Sequence, residues 1–165
     1  MINLTPCSFL IMLSNYGGVY KMFLTKECDY GVRIIRALAD GTKKTVENIA
    51  NEEQIPQKYA YKIVKKLERG DLVQSIRGRS GGYLLAKTLD SFTLLDVIAA
   101  VDSTRYVNEC LQPAYECIFR DHPERPCYVH FELVRIQSHL GDELSSKSMA
   151  EVLRVDPAFE QRSSP

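Results

Sequence analysis

The chain has 165 residues, of which 45% are hydrophobic and 25% are charged, and its formal net charge at pH 7 is zero. These values are typical of one or two small folded domains, and the overall charge gives no indication of a nucleic-acid partner. No apolar run approaches the roughly 18 residues that a membrane-spanning helix requires, so we expect no membrane partner.

The charge is nevertheless distributed unevenly along the chain. Residues 56–87 contain eight Lys and Arg residues but only two acidic residues, so the remainder carries a matching negative excess. A local positive excess of this kind is typical of a segment that binds nucleic acid.

Residues 1–21 form the first segment. Their short apolar run, residues 9–13, has no Lys or Arg before it and is not followed by a convincing cleavage pattern, so it matches a signal peptide poorly. We expect a disordered extension or a mis-assigned start, and a cytoplasmic protein. In that reducing compartment, clustered cysteines bind metal more often than they form disulfides.

A folded domain is expected from residue 22 to residue 102. Its first helix has Thr25 as a plausible N-cap and Gly41 as a plausible stop. Apolar residues recur between them at helical spacing: Tyr30, Ile34, Ala37 and Leu38.

Two further helices are predicted between residues 45 and 70. Thr45 begins a short one, and Pro56 is expected at the first position of the second, which stops at Gly70. The apolar stripe of the second helix is Tyr59, Ile63, Val64 and Leu67. Its other face carries Lys58, Tyr61, Lys62, Lys65 and Arg69. Two short helices joined by a tight turn, the second with a basic face, are typical of a helix-turn-helix.

A β-hairpin is predicted directly after this unit, with strands at residues 72–76 and 82–86. The connecting turn, Arg77-Gly78-Arg79-Ser80-Gly81, carries two arginines. Arginine can bind phosphate through two hydrogen bonds or enter the narrow minor groove of A·T-rich DNA. The hairpin is therefore interpreted as a DNA-binding wing.

After the hairpin, Thr93 is the expected N-cap of another helix, with Asp96 in the capping-box position. The apolar side chains of this helix are expected only to pack in the core: Leu94, Val97, Ile98 and Val101.

Potential metal ligands are concentrated in ECLQPAYECIFRDHPERPCYVH, which begins at Glu109. Three thiols and one imidazole, from Cys110, Cys117, Cys127 and His130, suit a zinc ion or an iron–sulfur cluster. Three prolines favour a loop, which we expect to lead into a helix near Cys127.

That helix is expected to run to residue 145 or 146. Its apolar residues are spaced like a coiled-coil seam: Val129, Leu133, Ile136, Leu140 and Leu144. The seam predicts homodimerisation, and packing against the N-terminal domain is the alternative. Residues 148–153 are expected to add one or two helical turns before a polar tail at 155–165.

Several quoted segments resemble the Rrf-two (BadM-type) family of bacterial winged-helix regulators, including its IscR-like and NsrR-like branches. They are MFLTKECDYGVRIIRALA, IPQKYAYKIVKKLERGDLV, QSIRGRSGGYLLAK and TLLDVIAAVD, followed by three cysteines, Cys127-x-x-His130 and a long helix ending in SSKSMAEVL. The resemblance covers residues 22–153, and the RGxxGGYLLA pattern of the wing is its most diagnostic part.

The resemblance implies a mainly α fold with a small β-hairpin wing. It implies a winged helix-turn-helix domain at 22–102, a cysteine-bearing sensor loop at 103–126, and a dimerisation helix with a C-terminal turn at 127–154. The expected function is DNA-binding transcriptional regulation, as a repressor or alternatively an activator, by a homodimer that reads a pseudo-palindromic operator in double-stranded DNA. The protein is not expected to be an enzyme.

The resemblance also implies an iron–sulfur cluster, 2Fe–2S or 4Fe–4S, that controls DNA affinity. Its thiolate ligands would be Cys110, Cys117 and Cys127, and the fourth ligand would be His130 or Asp29. Glu27 and Cys28 flank Asp29 and are further candidates. The cysteine spacing departs from the family pattern, because the loop is longer and has no glycine between the first and last cysteines. Zinc, or no metal, therefore remains an alternative cofactor state.

For DNA binding, the resemblance places Arg77 in the minor groove and Tyr59 in the recognition helix. Lys58 and Tyr61 stand where IscR-like proteins carry Ser and Glu, so a different operator is expected. Gln57 and Tyr61 have side chains that can reach base edges, whereas lysine contacts to phosphate carry no sequence information. The complete set of predicted DNA-binding residues is Gln57, Lys58, Tyr59, Tyr61, Lys62, Lys65, Arg77 and Arg79.

Two alternative functions remain open. One is a metal-free or zinc-bound regulator of the same fold that senses a metabolite or a partner protein. The other is an iron–sulfur electron carrier, which the basic segment does not favour.

Overall fold

The computed structural model of the chain describes residues 24–78, 81–102, 106–120, 122 and 124–154. Within them lie six α-helices, one hairpin and two short 3-10 turns. The elements are α1 (Lys26–Ala37), α2 (Val46–Glu52), α3 (Gln57–Arg69), β1 (Val73–Ile76), β2 (Gly82–Leu85), a 3-10 turn (Leu89–Ser91), α4 (Leu94–Val101), a second 3-10 turn (Glu109–Leu111), α5 (Tyr128–Ser145) and α6 (Met149–Leu153). The expected mainly α fold with a two-stranded wing is confirmed. The expected N-terminal extension and polar tail lie outside the described residues.

The first helix begins as predicted, because the Thr25 side chain accepts a hydrogen bond from the Cys28 backbone N–H. It ends at Ala37, and Gly41 lies beyond it with a φ of +71°. A Cβ added at Gly31 would come within 2.9 Å of Val101 Cγ2, so the glycine allows α1 to pack closely on α4.

The second and third helices form the predicted helix-turn-helix. Thr45 caps α2 by accepting from the Asn48 backbone N–H, whereas Pro56 is the N-cap of α3 rather than its first residue. The prediction that Tyr59 belongs to the apolar stripe is wrong: Tyr59 is 47% exposed, and Ala60 occupies the buried position. The buried face of α3 is Ala60, Ile63, Val64 and Leu67.

The wing is an antiparallel pair in which Val73 lies opposite Leu85 and Ile76 lies opposite Gly82. A third backbone segment joins it, since Tyr83 N–H donates to the Lys44 carbonyl at 2.8 Å and Lys44 N–H donates to the Tyr83 carbonyl. The wing is thereby fixed to the segment that precedes the helix-turn-helix.

The C-terminal segment returns to the same domain. Met149 N–H donates to the Phe92 carbonyl at 2.9 Å, and the Met149 side chain is fully buried in the core. Capping boxes begin both helices at this junction, Thr93 with Asp96 for α4 and Ser148 with Glu151 for α6. The sequence predicted a final helical turn here, but not its insertion into the core.

The long helix α5 begins after Cys127, as predicted, and none of its residues is buried. Leu144, near its C-terminal end, packs against the core. No helix among the described residues is long and apolar enough to span a membrane.

Candidate DNA-binding surface and cysteine segment

The face of α3 opposite its buried stripe is exposed and rich in hydrogen-bond donors. Tyr59 and Tyr61 are 47% and 52% exposed, and the Tyr59 ring lies 5.9 Å from that of Tyr30 in α1. The predicted DNA-binding residues on α3 are all exposed: Gln57, Lys58, Tyr59, Tyr61, Lys62 and Lys65. This face can present amide, hydroxyl and ammonium groups together.

Two lysines of α3 are bound by one carboxylate of α1. Glu27 accepts hydrogen bonds from Lys62 Nζ at 2.5 Å and from Lys66 Nζ at 2.6 Å. The hydrogen bonds from Lys62 and Lys66 lower the pKa of Glu27, and the bond to Glu27 raises the pKa of Lys62. Glu27 was weighed from the sequence only as a possible metal ligand. Its role as a partner of α3 depends on a contact across 35 residues, which no local pattern reveals.

Lys65 links α3 to the wing. Its ammonium lies 2.7 Å from a carboxylate oxygen of Glu68 and 5.7 Å from the centroid of the Tyr83 ring on β2. The hydrogen bond to Glu68 raises the pKa of Lys65, which stays cationic at neutral pH. The Lys65 ammonium therefore lies at the contact between the recognition helix α3 and the wing.

The tip of the wing depends on two glycines. Gly78 has a φ of +124°, a conformation that side chains disfavour, and its carbonyl accepts from Gly81 N–H at 3.0 Å. A Cβ at Gly81 would lie 2.7 Å from the Ile76 carbonyl oxygen. Arg77 is exposed at this tip, whereas Arg79 lies outside the described residues.

The turn of the helix-turn-helix is held by a buried carboxylate. Glu53 is only 6% exposed and accepts two hydrogen bonds from the Arg36 guanidinium, one from Nε at 3.0 Å. Arg33 donates to the Glu53 backbone carbonyl at 3.3 Å. The hydrogen bond to Glu53 raises the pKa of Arg36. This clamp between α1 and the turn fixes where α3 begins, and no local sequence pattern predicts it.

We define the cysteine segment as the described residues between 106 and 127. Cys110, Cys117 and Cys127 are partly exposed free thiols, whereas Cys28 in α1 is buried. Arg120 folds back over the segment and donates to the carbonyls of Cys110 at 2.7 Å and Tyr115 at 3.1 Å. The Arg120 guanidinium thus links the backbone at Cys110 to the backbone at Tyr115.

The predicted fourth ligands lie in different environments. His130 is on the first turn of α5, and its Nδ1 is buried without a hydrogen-bond partner. Asp29 is exposed on α1 and forms an ion pair with Arg33 at 3.0 Å. Among the described side chains, no three His, Cys, Asp or Glu residues form a group that could hold a metal ion. In the described part of the chain, the structure does not bring three or more of the predicted ligands together.

Large apolar side chains are exposed around this segment. Ile118 is 80% exposed and Phe119 57%, and at the start of α5 Tyr128 is 77% and Val129 67% exposed. Along the predicted dimer seam, Val129 and Ile136 are exposed, and Leu133, Leu140 and Leu144 are partly buried.

Comparison with known proteins agrees with this geometry. The family model Rrf2, described as "Iron-dependent Transcriptional regulator", matches residues 24–155. The chain belongs to the Rrf2 family. It is similar to an Aquifex aeolicus protein named as an HTH-type transcriptional regulator, with 26% identity over 111 residues that cover 67% of this chain and 76% of that protein.

Solved structures of Rrf2 regulators have the same fold. CymR, the global cysteine regulator of B. subtilis, matches with a TM-score of 0.60 at 23% identity, over 80% of this chain and 96% of CymR. IscR of T. potens matches with a TM-score of 0.61 at 19% identity, over 90% of this chain and 96% of IscR. The protein is a winged-helix, DNA-binding transcriptional regulator and not an enzyme.

Proposed function

We propose that this Rrf2 regulator reads a specific operator with α3 and the wing, and that it acts as a repressor in the cytoplasm. The observation that carries the proposal is the exposed polar face of α3 lying beside the wing through Lys65 and Tyr83. A recognition helix enters the major groove, and a basic hairpin beside it reaches the neighbouring backbone or minor groove.

The side chains of this surface divide by chemistry. The Gln57 amide and the Tyr61 hydroxyl can hydrogen-bond base edges, and Tyr59 extends the same face. Three lysines supply cations for phosphates: Lys58, Lys62 and Lys65. Arg77, and Arg79 two residues further along the sequence, are the proposed minor-groove contacts.

The DNA upstream of the coding region is the first probe. Fluorescence anisotropy should give tighter binding to this DNA than to a shuffled duplex of equal length and composition. Equal affinity for both duplexes at every salt concentration would contradict specific recognition.

A homodimer is proposed from the seam on α5. None of its five residues is buried, and Val129 and Ile136 are 67% and 41% exposed, so part of the apolar seam lacks a cover within the described chain. Pairing two copies would place two recognition helices on half-sites about one helical turn, ~34 Å, apart. Ile136→Asp should give a monomer in size-exclusion chromatography with light scattering. Val152→Asp, the same kind of change at an exposed position on α6, should leave the dimer intact.

An iron–sulfur cluster is proposed as the control element, and the donor chemistry supports it. Thiolate sulfur and imidazole nitrogen are suitable ligands, and the unpartnered His130 Nδ1 is a donor without another use. When bound, a cluster supplies a redox-sensitive connection between its ligands. Cys110, Cys117 and Cys127 would hold it, with His130 or Asp29 fourth, and these residues must converge from the positions described here.

Anaerobic purification followed by a visible absorption spectrum tests this proposal. We expect a brown protein, and Cys110→Ala, Cys117→Ala and Cys127→Ala should each lose most of the colour, whereas Cys28→Ala should keep it. A colourless protein with one zinc per chain would contradict the cluster. His130→Ala and Asp29→Ala separate the two fourth ligands.

The unassembled ligand group favours a second candidate function, a metal-free regulator of the same fold. Its cysteine segment would instead bind a metabolite or a partner protein. Operator binding that is unchanged after complete metal removal would support this candidate over cluster control.

A further inference from the structure

A carboxylate of α1 lies against two lysines of the recognition helix α3. The two carboxylate oxygens of Glu27, in the first turn of α1, contact Lys62 at 2.5 Å and Lys66 at 2.6 Å. Glu27 is 26% exposed, so the contact is neither fully buried nor freely solvated. A carboxylate between two ammonium groups has the charge and the hydrogen-bond acceptors that a DNA phosphate also offers to lysine.

The two lysines have different surroundings. Lys66 is 28% exposed and also donates to the Val101 carbonyl at the end of α4, at 2.7 Å, so it is anchored within the domain. Lys62 is 56% exposed and lies on the same helix face as Lys58 and Lys65. Of this pair, Lys62 is the lysine that a phosphate can reach.

We propose that Glu27 is an affinity-setting residue that competes with DNA phosphate for Lys62. The inference rests on the proposed DNA-binding function of α3. Each phosphate neutralised by a lysine releases counterions and strengthens binding to any sequence. By competing for Lys62, Glu27 weakens one such contact and lowers affinity for operator and random DNA alike. Discrimination between operator and random DNA then depends on the side chains that hydrogen-bond to base edges.

Glu27 already contacts Lys62 and Lys66 of α3 in the absence of DNA. Lys66 fixes the second oxygen of Glu27, so the carboxylate remains beside α3 when Lys62 moves away. Lys65 and Glu68 form a different kind of pair, because both residues belong to one helix, at i and i+3. Such pairs are weak and exchange readily with other partners.

Glu27→Gln tests the proposal, with operator and shuffled DNA measured by anisotropy from 50 to 300 mM salt. We expect affinity for both duplexes to rise about fivefold, the scale of one partly exposed ion pair. The log–log salt slope should steepen by about 0.9, equivalent to one added phosphate contact. Glu143→Gln removes the same charge from exposed α5 and should change neither quantity.

Lys62→Gln completes the comparison, and its exposed position should leave folding intact. It should reduce affinity more in the Glu27→Gln background than in the wild type, because only there is Lys62 free for phosphate. Unchanged or weaker DNA binding by Glu27→Gln, or a flatter log–log salt slope, would overturn the inference. Weaker binding would mean that Glu27 orients Lys62 for its contact with DNA. Wild-type protein that binds no DNA would overturn the proposed function itself, together with this inference.

Discussion

The recognition helix α3 and the cysteine segment are both predicted to carry function, but they are stabilised differently. The exposed residues of α3 are positioned by a buried face on the same helix, in which Ile63, Val64 and Leu67 have no exposed surface. From residue 106 to residue 148, none of the described residues is buried. The half that we propose reads DNA is arranged by its own core, whereas the half that we propose senses a signal exposes apolar side chains and thiols, which a cofactor or a second chain would cover.

Thiol labelling should show the largest difference between these regions. In metal-free, reduced protein, Cys110, Cys117 and Cys127 should react rapidly with an alkylating reagent, because all three are partly exposed. Cys28 is 2% exposed and should react only when the domain opens. Its labelling rate should be lower than that of the other three thiols by a factor of about 10³ or more. Site-resolved mass spectrometry measures all four rates, and equal rates would remove the distinction.

Core substitution should give the next largest effect, and the chain offers a matched pair. Ile63 is fully buried in α3 and Ile118 is 80% exposed in the cysteine segment. Ile63→Ala should lower the free energy of unfolding by about 2–5 kcal/mol. Ile118→Ala should change it by less than about 0.5 kcal/mol. Urea denaturation measures both, and a large loss for Ile118→Ala would mean that the segment has a core of its own.

The clamp on the helix-turn-helix should have an intermediate effect. Arg36→Ala leaves the buried Glu53 carboxylate without its guanidinium, so we expect a loss of about 1–3 kcal/mol in thermal or urea unfolding. Arg135→Ala breaks an exposed ion pair with Glu132 on α5 and serves as the control, with little change expected. Equal effects would show that burial of Glu53 is unimportant.

The smallest expected effect concerns the wing. Arg77→Ala should weaken operator binding and flatten its salt dependence by a slope of about 0.9, since one proposed contact to the DNA is lost. Stability should not change, because Arg77 is exposed. Binding that is unaltered at every salt concentration would mean that the wing does not contact DNA.

Local signals predicted much of the fold. Threonine caps at positions 25, 45 and 93 are present, and the long helix begins one residue after Cys127. Strand ends were shifted by one residue, because Leu72 and Ala86 continue the apolar pattern beyond the ladder. Tyr59 and Ala60 are neighbours on α3, and apolar periodicity favoured the larger side chain although the smaller one is buried.

The candidate site was less predictable, because its contacts join distant parts of the chain. The Glu27–Lys62 and Arg36–Glu53 pairs are separated by 35 and 17 residues, and no motif links them. The Ser148-x-x-Glu151 capping box marks the start of a helix, but nothing in it predicts that Met149 is buried in the core. For the cysteine segment, composition indicated the donor chemistry, whereas assembly of the ligands stays a prediction.

Because the chain returns to the core at Met149, the two ends of α5 are held differently. Its C-terminal end is fastened to the DNA-binding domain through Leu144, Met149 and the Phe92 carbonyl. With 18 residues, the helix extends about 27 Å from that pivot to the end that carries Cys127 and His130. Any tilt of α5 about its C-terminal end would displace Cys127 and His130 more than the residues near Leu144.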